Sequence, residues 1–114
     1  MKLEELYKII LERKKELPKE SYTSSLFKQG IDRIVQKIGE EAVEVVIASN
    51  GRSQKKIIEE TADLFFHVLV LLASKKITLG QVYQELEKRS CLSAVGLLLA
   101  LIVPPAPWDM RLVL

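Results

Sequence analysis

At 114 residues the chain has length for one domain and no more, and with 48% apolar residues it can bury a real core. A net charge of only +2, with basic residues scattered among acids and no interleaved aromatics, argues against nucleic acid as a partner. The single cysteine, Cys91, excludes an internal disulfide framework and fits a reducing cytoplasm.

The first helix is predicted over residues 3–16, where Leu3, Leu6, Tyr7, Ile10 and Leu11 recur at helical spacing with Lys and Glu between. This is an amphipathic start rather than a secretory signal. Pro18 closes it. Ser21 to Ser25 reads as a polar connector, ordered around a site or capping the next turn. Gly30 separates Leu26-Phe27 from a long helix over roughly 31–49, which Asn50-Gly51 stops. Ser53 caps a third helix running to about Ser74, with Lys75 and Lys76 near its carboxyl end. Thr78 and Gln81 have capping-box spacing for a fourth helix through about Arg89. With no convincing strand and no internal repeat, the fold class is all-α: a bundle of about four helices. A bundle this small and this apolar gains from association, so at least a homodimer is expected.

Composition breaks after residue 90. Residues 1–90 hold 16 of the 17 basic and 14 of the 15 acidic residues; residues 91–114 hold three of the four prolines and the only tryptophan. The run Leu92–Val103 is about twelve residues, short of the roughly twenty that a spanning helix needs, so no membrane insertion is expected. Residues 1–90 are read as the domain and 91–114 as an appended apolar tail, dispensable for its chemistry.

Two acidic clusters carry the functional signal. Glu40-Glu41-Ala42-Val43-Glu44 and Glu59-Glu60-Thr61-Ala62-Asp63 lie on successive helices, each embedded in apolar sequence, with His67 one turn beyond the second. At 100° per residue, Lys37, Glu41 and Glu44 fall within about 60° of one another, as do Glu60, Asp63 and His67. One such cluster alone is most often a solvated helix face. Two in helical phase, each running toward core residues such as Val70, would repel unless a cation neutralised them. Carboxylate oxygens suit Mg²⁺, with Mn²⁺ as a substitute, or Ca²⁺, rather than Zn²⁺. His67 reads as a partner that orients a carboxylate or phosphate.

Carboxylates, a divalent cation and nearby cationic side chains suit phosphoryl chemistry, with a carboxylate as general base. No glycine-rich phosphate loop is present, so Arg13, Lys14, Lys28, Arg33 and Lys37 are the candidate phosphate contacts. Lys37 leads them, one turn before Glu41 on the same face.

Glu12-Arg13-Lys14, Ser21-Tyr22-Thr23, Leu26-Phe27 and Gly30 resemble the opening of phosphoribosyl-ATP pyrophosphohydrolase. So do the stretches from Lys37 to Ala48 and from Glu60 to His67, and the resemblance covers about residues 3–90 in matching order and spacing. This family performs the second step of histidine biosynthesis and belongs to the all-α MazG-like nucleotide pyrophosphohydrolases. The resemblance implies Mg²⁺-dependent hydrolysis of phosphoribosyl-ATP to phosphoribosyl-AMP and pyrophosphate, by a cytoplasmic homodimer or higher assembly. By that analogy Glu41, Glu44, Glu60 and Asp63 ligate metal and Glu40 helps as ligand or base. Lys37 contacts phosphate; Arg13, Lys14, Tyr22, Lys28 and His67 are substrate-binding candidates, with Ser21 and Thr23 shaping the pocket. The cyclohydrolase that consumes phosphoribosyl-AMP is expected as a separate protein. Competing readings are a MazG-like enzyme for other nucleoside triphosphates, a non-catalytic helical interaction module and, ranked last, a di-iron bundle, because Asp63-x-x-x-His67 lacks Glu-x-x-His spacing.

Overall fold

A computed structural model describes residues 1–100, with side chains placed for residues 1–90. It is all-helical: α1 (Leu3–Glu16), α2 (Tyr22–Gln29), α3 (Ile31–Asn50), α4 (Gln54–Ser74) and α5 (Leu79–Ala100). Residues up to Ile77 form one compact unit, and a second begins at Thr78. The order follows the expected helices, with one more than the four anticipated.

The additional helix is α2, which occupies much of the stretch read as a connector. Ser21 is its N-cap, its hydroxyl accepting from the Ser24 amide at 3.3 Å. Eight residues rich in Ser and Thr would not hold a helix alone. Burial of Ser24 and Leu26 holds it, and the Ser24 hydroxyl donates to the Arg13 carbonyl of α1. That is tertiary support which local propensity does not reveal.

α1 carries Glu4 and Glu5 in its first turn and Arg13, Lys14 and Lys15 in its last, both complementary to the helix dipole. It ends on Leu17 in the left-handed conformation, whose amide donates to the Arg13 carbonyl at 2.9 Å. Gly30 breaks α2 from α3 at φ +92°, ψ −178°, a conformation in which a side chain is strained even though a Cβ would meet no neighbour. Gly51 needs no such freedom. It stops α3 in an extended conformation at φ −86°, and its amide donates to the Ala48 carbonyl.

Residues 51–53 reverse the chain, so that α3 and α4 pack as an antiparallel pair. Ser53 caps α4 as expected, accepting from the Lys56 amide at 3.3 Å. The opposite end of α4 is finished from α1. Lys14 Nζ donates to the Ala73 carbonyl at 2.7 Å, and the Tyr7 hydroxyl donates to the Ile77 carbonyl. Burial pushes the Tyr7 phenol upward.

One buried side chain from each of the first four helices, Ile10, Leu26, Ile34 and Val70, forms the centre of the core. Leu69 and Ala73 of α4 complete it. Ile34 is fully buried, so Ile34→Ala should cost about 2–5 kcal/mol through lost transfer energy and a cavity. Small domains hold roughly 5–15 kcal/mol in total, so a urea titration of this variant should show a clearly lowered midpoint, by about an eighth at the least.

At the start of α5 the Thr78 amide donates to Gln81 Oε1 at 2.8 Å, and the Gln81 amide to Thr78 Oγ1 at 3.2 Å, the reciprocal cap expected from the spacing. The helix continues beyond Arg89 to Ala100. The apolar tail's side chains, and everything from residue 101, lie outside the described residues.

Candidate metal centre

α3 and α4 bring their acidic faces together. Glu41 of α3 and Glu60 and Asp63 of α4 each offer a carboxylate oxygen, and these oxygens lie within 4.8 Å of one another. Glu41 is 8% exposed, Glu60 is half-buried and Asp63 faces solvent, so the cluster has a wet side through which a ligand could enter. Opposed oxygens are about 4.1 Å apart across Mg²⁺ and about 4.8 Å across Ca²⁺. The cluster could therefore hold a metal ion among three carboxylate oxygens.

Glu44 stands one turn beyond Glu41 and is exposed. It lines a hollow of about 240 Å³ with Ile47, Ala48, Gly51, Ser53, Lys56 and Glu60, where α3 hands over to α4. It thus flanks the cluster beside Glu60 and lies outside the tight group of three.

Lys37 is placed as its helical phase predicts. Its Nζ lies 2.6 Å from Glu41 and 3.2 Å from Glu40. The hydrogen bond to Glu41 raises the Lys37 pKa, and Glu40 adds to this against the opposing effect of burial. Glu40 is exposed and bound to α3 itself: Lys37, Gln36 and Arg33 all reach it, the last at 3.7 Å. The hydrogen bond from Lys37 is the main cause holding the Glu40 carboxyl below its ordinary range. Arg33 therefore joins the site through Glu40.

Other candidates are placed differently. Lys14 spends its ammonium on the Ala73 carbonyl at the carboxyl end of α4. Arg13 and Lys28 are exposed, and among the described residues no ion pair joins either to the acidic cluster. Ser21 caps α2, and Thr23 is half-buried on that helix. Tyr22 and His67 come together across α2 and α4, with the Tyr22 hydroxyl 3.0 Å from His67 Nε2.

Sequence reasoning passed over Lys56. It lies one turn before Glu60, 3.3 Å away, and Glu60 raises its pKa, chiefly by a hydrogen bond. The four-residue spacing from Lys56 to Glu60 was the available signal. The two lysine–carboxylate pairs, Lys37–Glu41 and Lys56–Glu60, put one ammonium beside each helix's contribution to the cluster.

Three carboxylates of fitting geometry, flanked by two ammonium groups, suit binding of a cation together with a polyphosphate. A family model described as phosphoribosyl-ATP pyrophosphohydrolase matches residues 3–90. The chain is 53% identical over 87 residues to a phosphoribosyl-ATP pyrophosphatase of Geobacter sulfurreducens, covering 76% of this chain and 81% of that one. It is 51% identical over 87 residues to one from Metallosphaera sedula, covering 76% of this chain and 94% of that one. A histidine biosynthesis bifunctional protein of Caldanaerobacter subterraneus is 51% identical over 87 residues, 76% of this chain and 42% of its own length. The matched region contains every acidic and basic residue of the cluster, and the chain belongs to the phosphoribosyl-ATP pyrophosphohydrolase family.

Proposed function

We propose that this chain hydrolyses phosphoribosyl-ATP to phosphoribosyl-AMP and pyrophosphate, a step of histidine biosynthesis, at the Glu41–Glu60–Asp63 cluster. The convergence of these three carboxylates from two helices, within the family-matched region, carries the proposal. Glu41, Glu60 and Asp63 hold Mg²⁺, which Mn²⁺ can replace, and Glu44 is a fourth ligand on the Glu60 side. The ion supplies charge neutralisation of the polyphosphate and activation of water. One carboxylate of the set accepts the proton from the attacking water. Lys37, anchored by Glu41 on the helix face shared with the ligands, presents its ammonium to the phosphate oxygens.

Pyrophosphate release from phosphoribosyl-ATP, measured against ATP and dCTP with and without Mg²⁺, tests the reading. Activity confined to phosphoribosyl-ATP and dependent on the cation is expected. Preference for ATP or dCTP would instead place the chain with enzymes acting on other nucleoside triphosphates, and no activity on any of them would support an interaction module. Lys37→Ala should lower kcat/KM by at least about tenfold, or roughly 1.4 kcal/mol of transition-state stabilisation. Unchanged kinetics at saturating Mg²⁺ would make Lys37 a structural counter-ion of Glu41.

The assembly we propose is a homodimer or higher oligomer in the cytoplasm, with the cyclohydrolase that consumes the product on a separate chain. Val35, Val43, Val46 and Ile47 of α3 are all exposed, on a stripe roughly opposite Ile34 and Val45, and Ile58 and Phe65 of α4 are exposed as well. α3 is therefore apolar on two sides, and this bundle covers only one of them. The occupant proposed for that face is a second copy of the chain, since an apolar stripe on a small bundle is suited to self-association.

A further inference from the structure

His67 is 4% exposed, and both of its ring nitrogens are engaged by the protein. Nδ1 lies 2.7 Å from the backbone carbonyl of Asp63, one turn back on α4. A carbonyl can only accept, so Nδ1 carries the proton and donates it. In that tautomer Nε2 has a lone pair and no proton. In the neutral ring its neighbour at 3.0 Å, the Tyr22 hydroxyl, is therefore the donor. Three rings fix this geometry. His67 meets Phe66 edge-on at 5.0 Å and Tyr22 edge-on at 6.0 Å, while Tyr22 stacks against Phe66 at 6.1 Å.

Tyr22 itself is 53% exposed, and through His67 its hydroxyl is linked to the backbone of Asp63 in the acidic cluster. Its one hydroxyl proton is committed inward to His67, so what it presents beside the acidic cluster is an oxygen with lone pairs only. Such an oxygen accepts from a hydroxyl or ammonium and is repelled by a phosphate oxygen.

We propose that His67 is a positioning residue, held as its Nδ1–H tautomer by the Asp63 carbonyl, and that it turns Tyr22 into a hydrogen-bond acceptor that reads a ribose hydroxyl of the nucleotide. The sugar-reading part rests on the hydrolase reading above; the tautomer and the direction of the Tyr22–His67 bond do not. His67 acts without touching substrate. It sets which way the phenol proton points, and so keeps Tyr22 from serving as a phosphate donor.

His67 is the chain's only histidine, so its imidazole nitrogens can be observed directly in the full protein by ¹⁵N NMR. The expected spectrum shows a protonated Nδ1 and an unprotonated Nε2, whose resonance moves in Tyr22→Phe. A protonated Nε2 in the neutral ring would overturn the proposal whatever the activity. Kinetics then use phosphoribosyl-ATP and its analogues lacking one ribose hydroxyl. Tyr22→Phe and His67→Leu should raise KM about tenfold for the full substrate, change kcat by less than twofold, and leave KM unaltered for one of the deoxy analogues. His67→Gln, whose amide oxygen can take the same proton, should restore KM to within about threefold of the parent. Equal losses on every substrate in folded Tyr22→Phe, or parental KM in His67→Leu, would refute the sugar-reading role. A parent protein inactive on phosphoribosyl-ATP would defeat the hydrolase reading, and the NMR result would still decide the tautomer.

Discussion

Glu41→Gln and Asp63→Asn should each lower Mg²⁺-dependent release of pyrophosphate by at least about a hundredfold, because several kcal/mol of transition-state charge stabilisation depends on holding the ion. The two should part company in stability. Asp63 is exposed and among the described residues no ammonium is paired with it, so its neutralisation removes repulsion from Glu41 and Glu60. Thermal melts in the presence of a chelator should place Asp63→Asn at or above the parent protein. Glu41 is buried and accepts from Lys37 at 2.6 Å, so Glu41→Gln weakens an ion pair and leaves Lys37 with Glu40 as its remaining carboxylate. It should melt at or slightly below the parent. Near-normal turnover in either folded variant would remove the cluster from the chemistry. Equal stabilisation of both would mean that Lys37 is not held by Glu41 in solution.

A charge placed on the uncovered apolar face should dissociate the assembly. Val46 is 62% exposed and Phe65 50%, with Val43, Ile47 and Ile58 similarly open. Monomers seldom leave such a stripe in water, since covering each large side chain gains about 1.5–3 kcal/mol. Gly39 adds a separate argument. A glycine inside a helix costs about 1 kcal/mol relative to alanine, yet a Cβ at Gly39 would meet nothing within 4 Å. It sits on the same side as Val35, Val43 and Val46, away from Glu41, where a close-approaching helix would need the space. Light scattering should report a dimer or larger particle for the parent at micromolar concentration. Val46→Glu with Phe65→Glu should give a monomer, and Gly39→Ala should weaken association while leaving the helix intact. A fully active, stable monomer in the parent protein would refute the proposed assembly.

The sequence by itself determined four of the five helices among the described residues, because their signals are local. Apolar residues recur at helical spacing in α1, Ser53 and the Thr78–Gln81 pair cap α4 and α5 as read, and a three-residue turn forces α3 and α4 together. It also determined the partners that lie one turn apart on a single helix, so the Lys37–Glu41 contact was legible from phase alone. Only the tertiary structure decided matters that depend on a second helix. The stretch after Ser21 became α2 because Ser24 and Leu26 are buried against neighbours, which no propensity records. Lys14 became a cap for α4 because the end of that helix lies beside α1. Helical phase placed Glu41 and Glu44 alike, yet only Glu41 meets Glu60 and Asp63 within 4.8 Å, since the approach of two helices selects one turn of each. His67 read as a residue that orients a carboxylate or contacts substrate. The structure places it as a buried ring between Asp63's carbonyl and Tyr22's hydroxyl, 45 residues away in sequence from that tyrosine, because ring packing across α2 and α4 is set by the fold and leaves no periodic trace in the chain.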